Sequence, residues 1–244
     1  MKMQYLLSGV FACALLASRQ PALAAPAPEP VIGSVDRFDD SVRDDFFDGM
    51  LHGDQTALAR GMKTCDEALA RNPRYAPAMA WHGNGLLFLS GSSFQAGDIA
   101  KGIDLWQRGL AEVNEAVALD PESLQVLIPR GATFLSIAKY SPNPAERHEL
   151  LQTGVGDYEK VLGLQKAYFS KVGIHARGEL LFGLANGWYQ LGDREKSRAY
   201  LQRIVLELPG SAYATRAADW LQTTDPAALR KKSRAVSCIG CHGD

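Results

Sequence analysis

Residues 180–209 read LLFGLANGWYQLGDREKSRAYLQRIVLELP. In the second half of this segment, Ser197, Leu201 and Ile204 are spaced by four and then three residues. That spacing places the three side chains on one face of an α-helix, where the small serine lets a neighbouring helix approach closely. Pro209 follows, and a proline stops a helix because it has no amide hydrogen to continue the hydrogen-bond ladder. The segment therefore predicts two packed helices joined by a turn.

The same spacing of four and then three residues occurs in three earlier segments. The corresponding sets are Gly61, Cys65 and Ala68, then Gly109, Val113 and Ala116, then Gly154, Tyr158 and Val161. A proline follows the first two sets, at Pro73 and Pro121, and Lys166 stands at that place after the third. Segments with a small residue of their own precede the four sets, at Gly49, Gly83, Gly131 and Ala185. Residues 36–222 therefore predict an all-α domain of about four helix pairs.

The first of these units resembles the tetratricopeptide repeat family. Its Gly49, Gly61, Ala68 and Pro73 have the spacing of a helix-pair repeat of about 34 residues. The resemblance implies a TPR-like α-solenoid, closed by a C-terminal capping helix that we expect at residues 212–222. It also implies a groove that binds a protein or peptide partner, a redox protein among the candidates. An enzyme is not expected.

Three stretches interrupt this repeat pattern. We expect residues around 91–104 to intrude between the two helices of the second repeat, and we expect its first helix to end at Leu89. Further insertions are predicted at 141–144, which contains two prolines, and at 167–177. Large aromatic residues at helical spacing predict packing between repeats rather than contacts to a ligand. These residues are Trp81, Trp106, Trp188, Tyr158 and Tyr200.

The N-terminal residues have the order of a secretory signal peptide. Lys2 is followed by an apolar run, and then by the small residues of an A-x-A cleavage site that ends at Ala24. Residues 1–24 are therefore predicted to be a signal peptide, and the Pro-rich residues 25–35 an extended leader. We expect a protein located in the periplasm.

The composition of the full chain limits its partners. Lys and Arg number 26 and Asp and Glu 27, which gives a formal net charge of −1. A nucleic-acid partner is not expected, because no overall basic field would attract one. A transmembrane segment is not expected either, since no later apolar run has the roughly 20 residues that a spanning helix needs.

The tail at 223–244 contains the sequence Cys238-Ile239-Gly240-Cys241-His242. This pattern resembles the haem attachment site of c-type cytochromes. The resemblance implies thioether bonds from Cys238 and Cys241 to one haem c, with His242 as the proximal iron ligand. Only Gly243 and Asp244 follow, so we expect the haem to pack on the repeat domain or a partner, or to stay exposed.

Other interpretations of the two terminal cysteines remain open. They could form a dithiol redox pair, although such pairs usually open a helix in a βαβ unit. A zinc site would require a second ligand cluster, and a plain disulfide is the simplest alternative. Cys65 lies within a predicted helix, where we expect it to be a small buried side chain.

A second axial ligand for the iron would have to come from the rest of the chain. The candidates are His52, His82, His148, His175, Met50, Met62 and Met79. We favour His148 or His175 as the distal ligand, because both lie in or beside the predicted insertions. His82 lies in the packed face of a helix and is expected to be a satisfied interior histidine.

Two functions follow from these patterns. In the first, the repeats dock a partner and the tail carries one haem for electron transfer. In the second, the repeats are a non-redox scaffold or assembly factor, for example in cytochrome maturation, and the motif carries no haem. A peroxidase-like activity would need a distal base and a charged partner, and no motif identifies them.

Overall fold

The computed structural model describes residues 37–223, and regular structure within that range is entirely helical. The α-helices are α1 (Phe38–His52), α2 (Gln55–Arg71), α3 (Ala76–Gln95), α4 (Ile99–Leu119), α5 (Leu124–Ile137), α6 (Pro144–Leu164), α7 (Ile174–Gln190), α8 (Arg194–Glu207) and α9 (Ala212–Gln222). The all-α prediction is confirmed for these residues, and α9 has the bounds expected of the final helix. The predicted signal peptide, the leader and the Cys-x-x-Cys-His motif lie outside the described residues.

The ends of the helices follow from local chemistry. The side chain of Asp54 accepts hydrogen bonds from two backbone N–H groups in the first turn of α2. Asp193 accepts one in the same way at the start of α8. These caps satisfy amide groups that have no partner inside the helix. Pro73, Pro121 and Pro209 each lie between two helices, as their spacing predicts.

Each helix packs against the next one along the chain. The odd-numbered helices also contact one another in order, α1 with α3, α3 with α5, α5 with α7, and α7 with α9. The odd-numbered helices therefore form one continuous row, which we call the odd row.

The small residues lie at the points where two paired helices approach each other most closely. A Cβ added to Gly109 in α4 would lie 2.8 Å from the carbonyl oxygen of Gly83 in α3. In the next pair, a Cβ added to Gly154 would lie 3.1 Å from the carbonyl oxygen of Gly131. Because backbone atoms oppose each other at these points, a larger side chain would push the helices apart. The glycines predicted to allow close packing have that role.

The prediction that residues around 91–104 intrude between the two helices of the second repeat is wrong. The chain there extends α3 to Gln95 and begins α4 at Ile99, so that both helices are longer and Gly91 lies inside a helix. The two extensions pair because the ring of Phe94 packs against Gly102, which has no side chain to obstruct it. The connection is short, and Gly97 turns it with a φ of 80°. A short 3₁₀ turn at Ala138–Tyr140 precedes the predicted insertion at 141–144, in which α6 already begins at Pro144, and a second 3₁₀ turn at Phe169–Lys171 lies within the predicted insertion at 167–177.

The predicted aromatic packing is confirmed for the buried rings. Trp81 is buried against Phe46, with ring centroids 5.2 Å apart. Tyr158 is buried between α5 and α7, where Gly131 and Gly183 leave room for its ring. The remaining three aromatic residues, Trp106, Trp188 and Tyr200, are half-buried against the main core. Cys65 is fully buried in α2, as expected.

Candidate functional site

The residues predicted to hold the haem, Cys238, Cys241 and His242, lie outside the described part of the chain. The candidates for the distal ligand all lie within it. Their surroundings differ enough to separate them.

The methionines belong to the apolar packing. Met79 is buried in α3, and Met50 and Met62 are half-buried against the core that α1, α2 and α3 share. The sulfur atom of Met62 fills the space over Gly85. Using one of these thioethers as a ligand would require opening the core around it.

His82 is held by two carboxylates. Its Nδ1 lies 2.8 Å from Glu112 Oε1 in α4, and its Nε2 lies 3.3 Å from Asp66 Oδ1 in α2. The imidazole is therefore a satisfied interior group, as predicted. His52 is exposed at the end of α1, with its Nδ1 3.1 Å from the exposed Asp48 of the same helix.

His148 and His175 are both exposed, yet neither lies on a loop. His148 stands in the second turn of α6, and His175 is the second residue of α7. No described residue hydrogen-bonds the ring of His148. His175 contacts α9, where its Nδ1 lies 3.0 Å from the phenolic oxygen of Tyr213. Both histidines therefore lie near the start of a helix, beside the connections that precede α6 and α7.

A small cleft of about 50 Å³ opens to solvent on the odd row. Residues of α5, α7 and α9 line the cleft, and Tyr158 of α6 also belongs to its lining. The apolar part of the lining includes Leu135 and Phe182, and Gly183 lies in the wall with the ring of Tyr158 packed against it. The cleft therefore presents apolar surface beside a few polar side chains, as binding sites for ligands often do.

Polar groups gather at one side of this cleft. The phenol of Tyr213 donates to Glu179 Oε1 at 2.5 Å, and the guanidinium of Arg216 lies 4.8 Å from the centre of the Phe182 ring. Asn186 also lines the cleft, and its Oδ1 is buried without a hydrogen-bond partner among the described residues. A buried amide oxygen that lacks a donor is costly, by about 1–3 kcal/mol. A ligand that donates a hydrogen bond to Asn186 Oδ1 would remove this free-energy cost.

Sequence analysis did not identify Asn186, Glu179, Tyr213 or Arg216. The signal for Asn186 was present in the repeat register, because it follows the small residue Ala185 just as Asn84 follows Gly83. Asn84 also has a buried Oδ1 without a partner in the described part of the chain. The other three residues come from helices α7 and α9, and no local sequence pattern predicts that their side chains lie close together.

No family model, curated protein or solved structure matches this chain. Within residues 37–223 there is no helix both long and apolar enough to cross a bilayer. The same residues hold no cluster of three or more His, Cys, Asp or Glu side chains that could bind a metal ion.

Proposed function

We propose that this chain is a periplasmic helical-repeat protein of the tetratricopeptide type, exported by its signal peptide. It docks a protein partner in the cleft of the odd row and carries one covalent c-type haem for electron transfer with that partner. The buried, unpartnered amide oxygen of Asn186 in the cleft is the observation that carries the docking function.

The packing of the helices supports the repeat assignment. Each helix contacts its neighbours in sequence, and the odd-numbered helices contact one another in a row. Small residues recur at the closest approach of the pairs, and prolines recur at three junctions. A stack in which each unit contacts only its neighbours is the arrangement of repeat proteins.

The chemistry of the cleft supports a peptide as the docked ligand. An extended peptide offers an N–H group at nearly every residue, and one such group could donate to Asn186 Oδ1. Its side chains could cover Leu135 and Phe182, and the lining also contains charges of both signs, at Arg216 and Glu179. An extended segment of a folded partner protein could bind the cleft through the same contacts.

The haem assignment rests on the residues of the tail. Cys238, Cys241 and His242 have the spacing that attaches and ligates a c-type haem. When bound, haem c supplies a one-electron Fe(III)/Fe(II) couple, so that a reduced partner loses one electron for each haem that it reduces.

Haem attachment is tested with a pyridine haemochrome spectrum of protein expressed with the cytochrome c maturation system. We expect a c-type band that is lost in the double variant Cys238→Ala/Cys241→Ala. Cys65→Ala is the matched control, and we expect it to keep the band because Cys65 is buried in α2. A wild-type protein without the band would overturn the haem assignment.

Docking is tested with a phage-displayed library of random dodecapeptides as the probe. We expect selected peptides to bind the wild-type protein and to lose about 10-fold in affinity with Asn186→Ala, since one hydrogen bond to a buried acceptor is lost. The control is Gln152→Ala, which removes a side-chain amide from the exposed face of α6. Equal affinity for wild type and Asn186→Ala would contradict the assignment of the cleft.

A non-redox scaffold is the second candidate, and one observation favours it. The described lining of the cleft comes from helices of the repeat domain, namely α5, α6, α7 and α9. Deleting residues 237–244 should leave binding of the selected peptides unchanged if the protein is a scaffold. A loss of binding on this deletion would contradict the scaffold.

A further inference from the structure

The ring of Tyr158 lies at the bottom of the cleft and is held from two sides. Tyr158 is the one residue of the described lining that belongs to an even-numbered helix. Its ring packs against Gly131 of α5 on one edge and against Gly183 of α7 on the other. Tyr158 is only 4% exposed, so the surrounding core fixes its position. The depth of the cleft is therefore set before a ligand binds.

The side of the cleft that α5 contributes is apolar. Ala132, Leu135 and Ser136 line it, and their spacing of three and four residues places them on one face of the helix. The hydroxyl of Ser136 donates to the carbonyl oxygen of Ala132 at 2.8 Å, so its proton is already used within α5. Among the described residues, the lining on α5 contains no charged group. A ligand group on this side therefore contacts mainly carbon atoms.

The hydrogen-bonding groups of the lining lie on the other side of the cleft. Asn186 and Glu179 belong to α7, and Arg216 belongs to α9. The cleft therefore has an apolar side and a polar side. This arrangement fits a peptide that places one apolar side chain against α5 and directs its polar main chain towards α7.

The size of the cleft limits that side chain. The cleft volume is about 50 Å³, and one water molecule occupies about 10–15 Å³ on this scale. The cleft therefore has room for about three to five heavy atoms. The side chains of leucine, isoleucine and methionine fall in this range, whereas an aromatic side chain has more atoms than the cleft can take.

The position of Asn186 limits the spacing along the peptide. Asn186 stands three residues after Gly183 and four after Phe182, which is one turn or about 5.4 Å further along α7. An extended peptide advances about 3.3 Å for each residue. The N–H group that reaches Asn186 Oδ1 therefore belongs to a residue within about two positions of the side chain in the cleft.

We propose that the cleft is a specificity pocket for one leucine-, isoleucine- or methionine-sized side chain of the docked peptide, which we call the anchor residue. The main-chain N–H group that donates to Asn186 follows or precedes the anchor by about two residues at most. This inference rests on the proposed docking function and names the class of peptide that the cleft binds.

The anchor is tested on the wild-type protein with the dodecapeptides selected from the phage-displayed library. We expect the selected sequences to share an aliphatic residue of this size at one position. Replacing that residue by alanine should lower the affinity by about 10-fold, because most of the buried apolar surface is lost. Replacing it by tryptophan should also weaken binding, since the ring is too large. Selected peptides with no shared aliphatic position, or an alanine replacement without effect, would overturn the proposal.

The size of the pocket is tested with Ala132→Leu, which fills the α5 side of the cleft. We expect this variant to bind the selected peptides about 10-fold more weakly and to select peptides with a smaller anchor, such as alanine. Ala111→Leu is the matched control, because Ala111 is exposed on α4. A general loss of stability would not change the preferred size of the anchor. An Ala132→Leu protein that binds peptides with the wild-type size preference would contradict the pocket.

The spacing is tested by methylating the main-chain nitrogen atoms of one selected peptide, one at a time. Methylation within about two residues of the anchor should lower the affinity for the wild-type protein by about 10-fold, because the donor to Asn186 is removed. The same methyl group should have little effect on binding to Asn186→Ala, which has no acceptor to lose. Equal losses for both proteins would contradict the spacing.

The outcomes separate this proposal from the docking function itself. A library that yields no peptide for the wild-type protein, or peptides that bind Asn186→Ala equally well, would overturn docking in the cleft. Peptides that require Asn186 but tolerate alanine at every position would overturn the specificity pocket alone.

Discussion

Gly109 makes the contact in α4 that tolerates least change. A Cβ there would lie 2.8 Å from the carbonyl oxygen of Gly83 and 3.0 Å from the backbone nitrogen of Leu87. Backbone atoms inside a helix cannot move aside as the end of a flexible side chain can. The preference of a helix for alanine over glycine, about 1 kcal/mol, is therefore outweighed by overpacking.

We expect Gly109→Ala to lower the free energy of unfolding by about 1–3 kcal/mol. Gly156→Ala in α6 is the control, because its Cβ would meet no atom within 4 Å. That substitution should stabilise the protein by about 0.5–1 kcal/mol. Urea unfolding of both variants measures the difference, and a Gly109→Ala protein as stable as Gly156→Ala would contradict the close approach of α3 and α4.

Cys65 should resist alkylation in the folded protein. Its side chain is fully buried, and burial raises the pKa of the thiol well above its usual range. Since the thiolate is the reactive form, we expect iodoacetamide to modify Cys65 only after unfolding in guanidinium. Mass spectrometry of the labelled protein measures this. Complete labelling within minutes in native buffer would show that α2 opens readily.

Single residues were predicted well where local spacing decides their role. Gly109 and Cys65 follow from the spacing of four and then three residues, because a helix of fixed pitch puts them on the packed face. Gly83 follows as the small residue of the segment that precedes the Gly109 set. The repeat register places Asn186 at the position of Asn84, but only the packing shows that no described residue donates a hydrogen bond to its buried oxygen.

Helices α5 and α6 are joined by a buried ion pair. The guanidinium of Arg130 donates to both carboxylate oxygens of Asp157 at 2.7 Å, and the Asp157 side chain is only 6% exposed. Burial raises the pKa of Asp157, and the hydrogen bonds and charge of Arg130 oppose that rise. Removing Arg130 should therefore raise the pKa further and leave a buried charge without its partner.

We expect Arg130→Met to lower the free energy of unfolding by about 3–5 kcal/mol at neutral pH. The loss should shrink as the pH falls towards about 4, because the folded variant then holds a proton on Asp157 that the unfolded chain does not. The double variant Arg130→Met/Asp157→Leu is the control and should recover most of the stability. Unfolding curves at several pH values measure this, and a loss that does not depend on pH would contradict the role assigned to Asp157.

The helices themselves were predicted more reliably than their lengths. The bounds of α9 follow from the amphipathic pattern after Pro209, but α3 was expected to end at Leu89, just before Gly91. A glycine weakens a helix without ending it, and the packing of Phe94 on Gly102 is a tertiary contact that outweighs the local preference.

The cleft could not be predicted from any single segment of the chain. Its lining joins Leu135 of α5, Asn186 of α7 and Arg216 of α9, which lie far apart in the sequence. Only the contacts between successive odd-numbered helices bring them together. The repeat spacing predicts that such a row exists, but it does not specify which side chains the row presents.

The intact mass of the purified periplasmic protein tests export and haem attachment together. Cleavage after Ala24 should leave residues 25–244, and attachment adds each cysteine S–H across a vinyl double bond, so a whole haem is gained. We expect the mass of residues 25–244 plus one haem. The mass of residues 25–244 alone, or lower by two hydrogen atoms if Cys238 and Cys241 form a disulfide, would contradict a haem-carrying function.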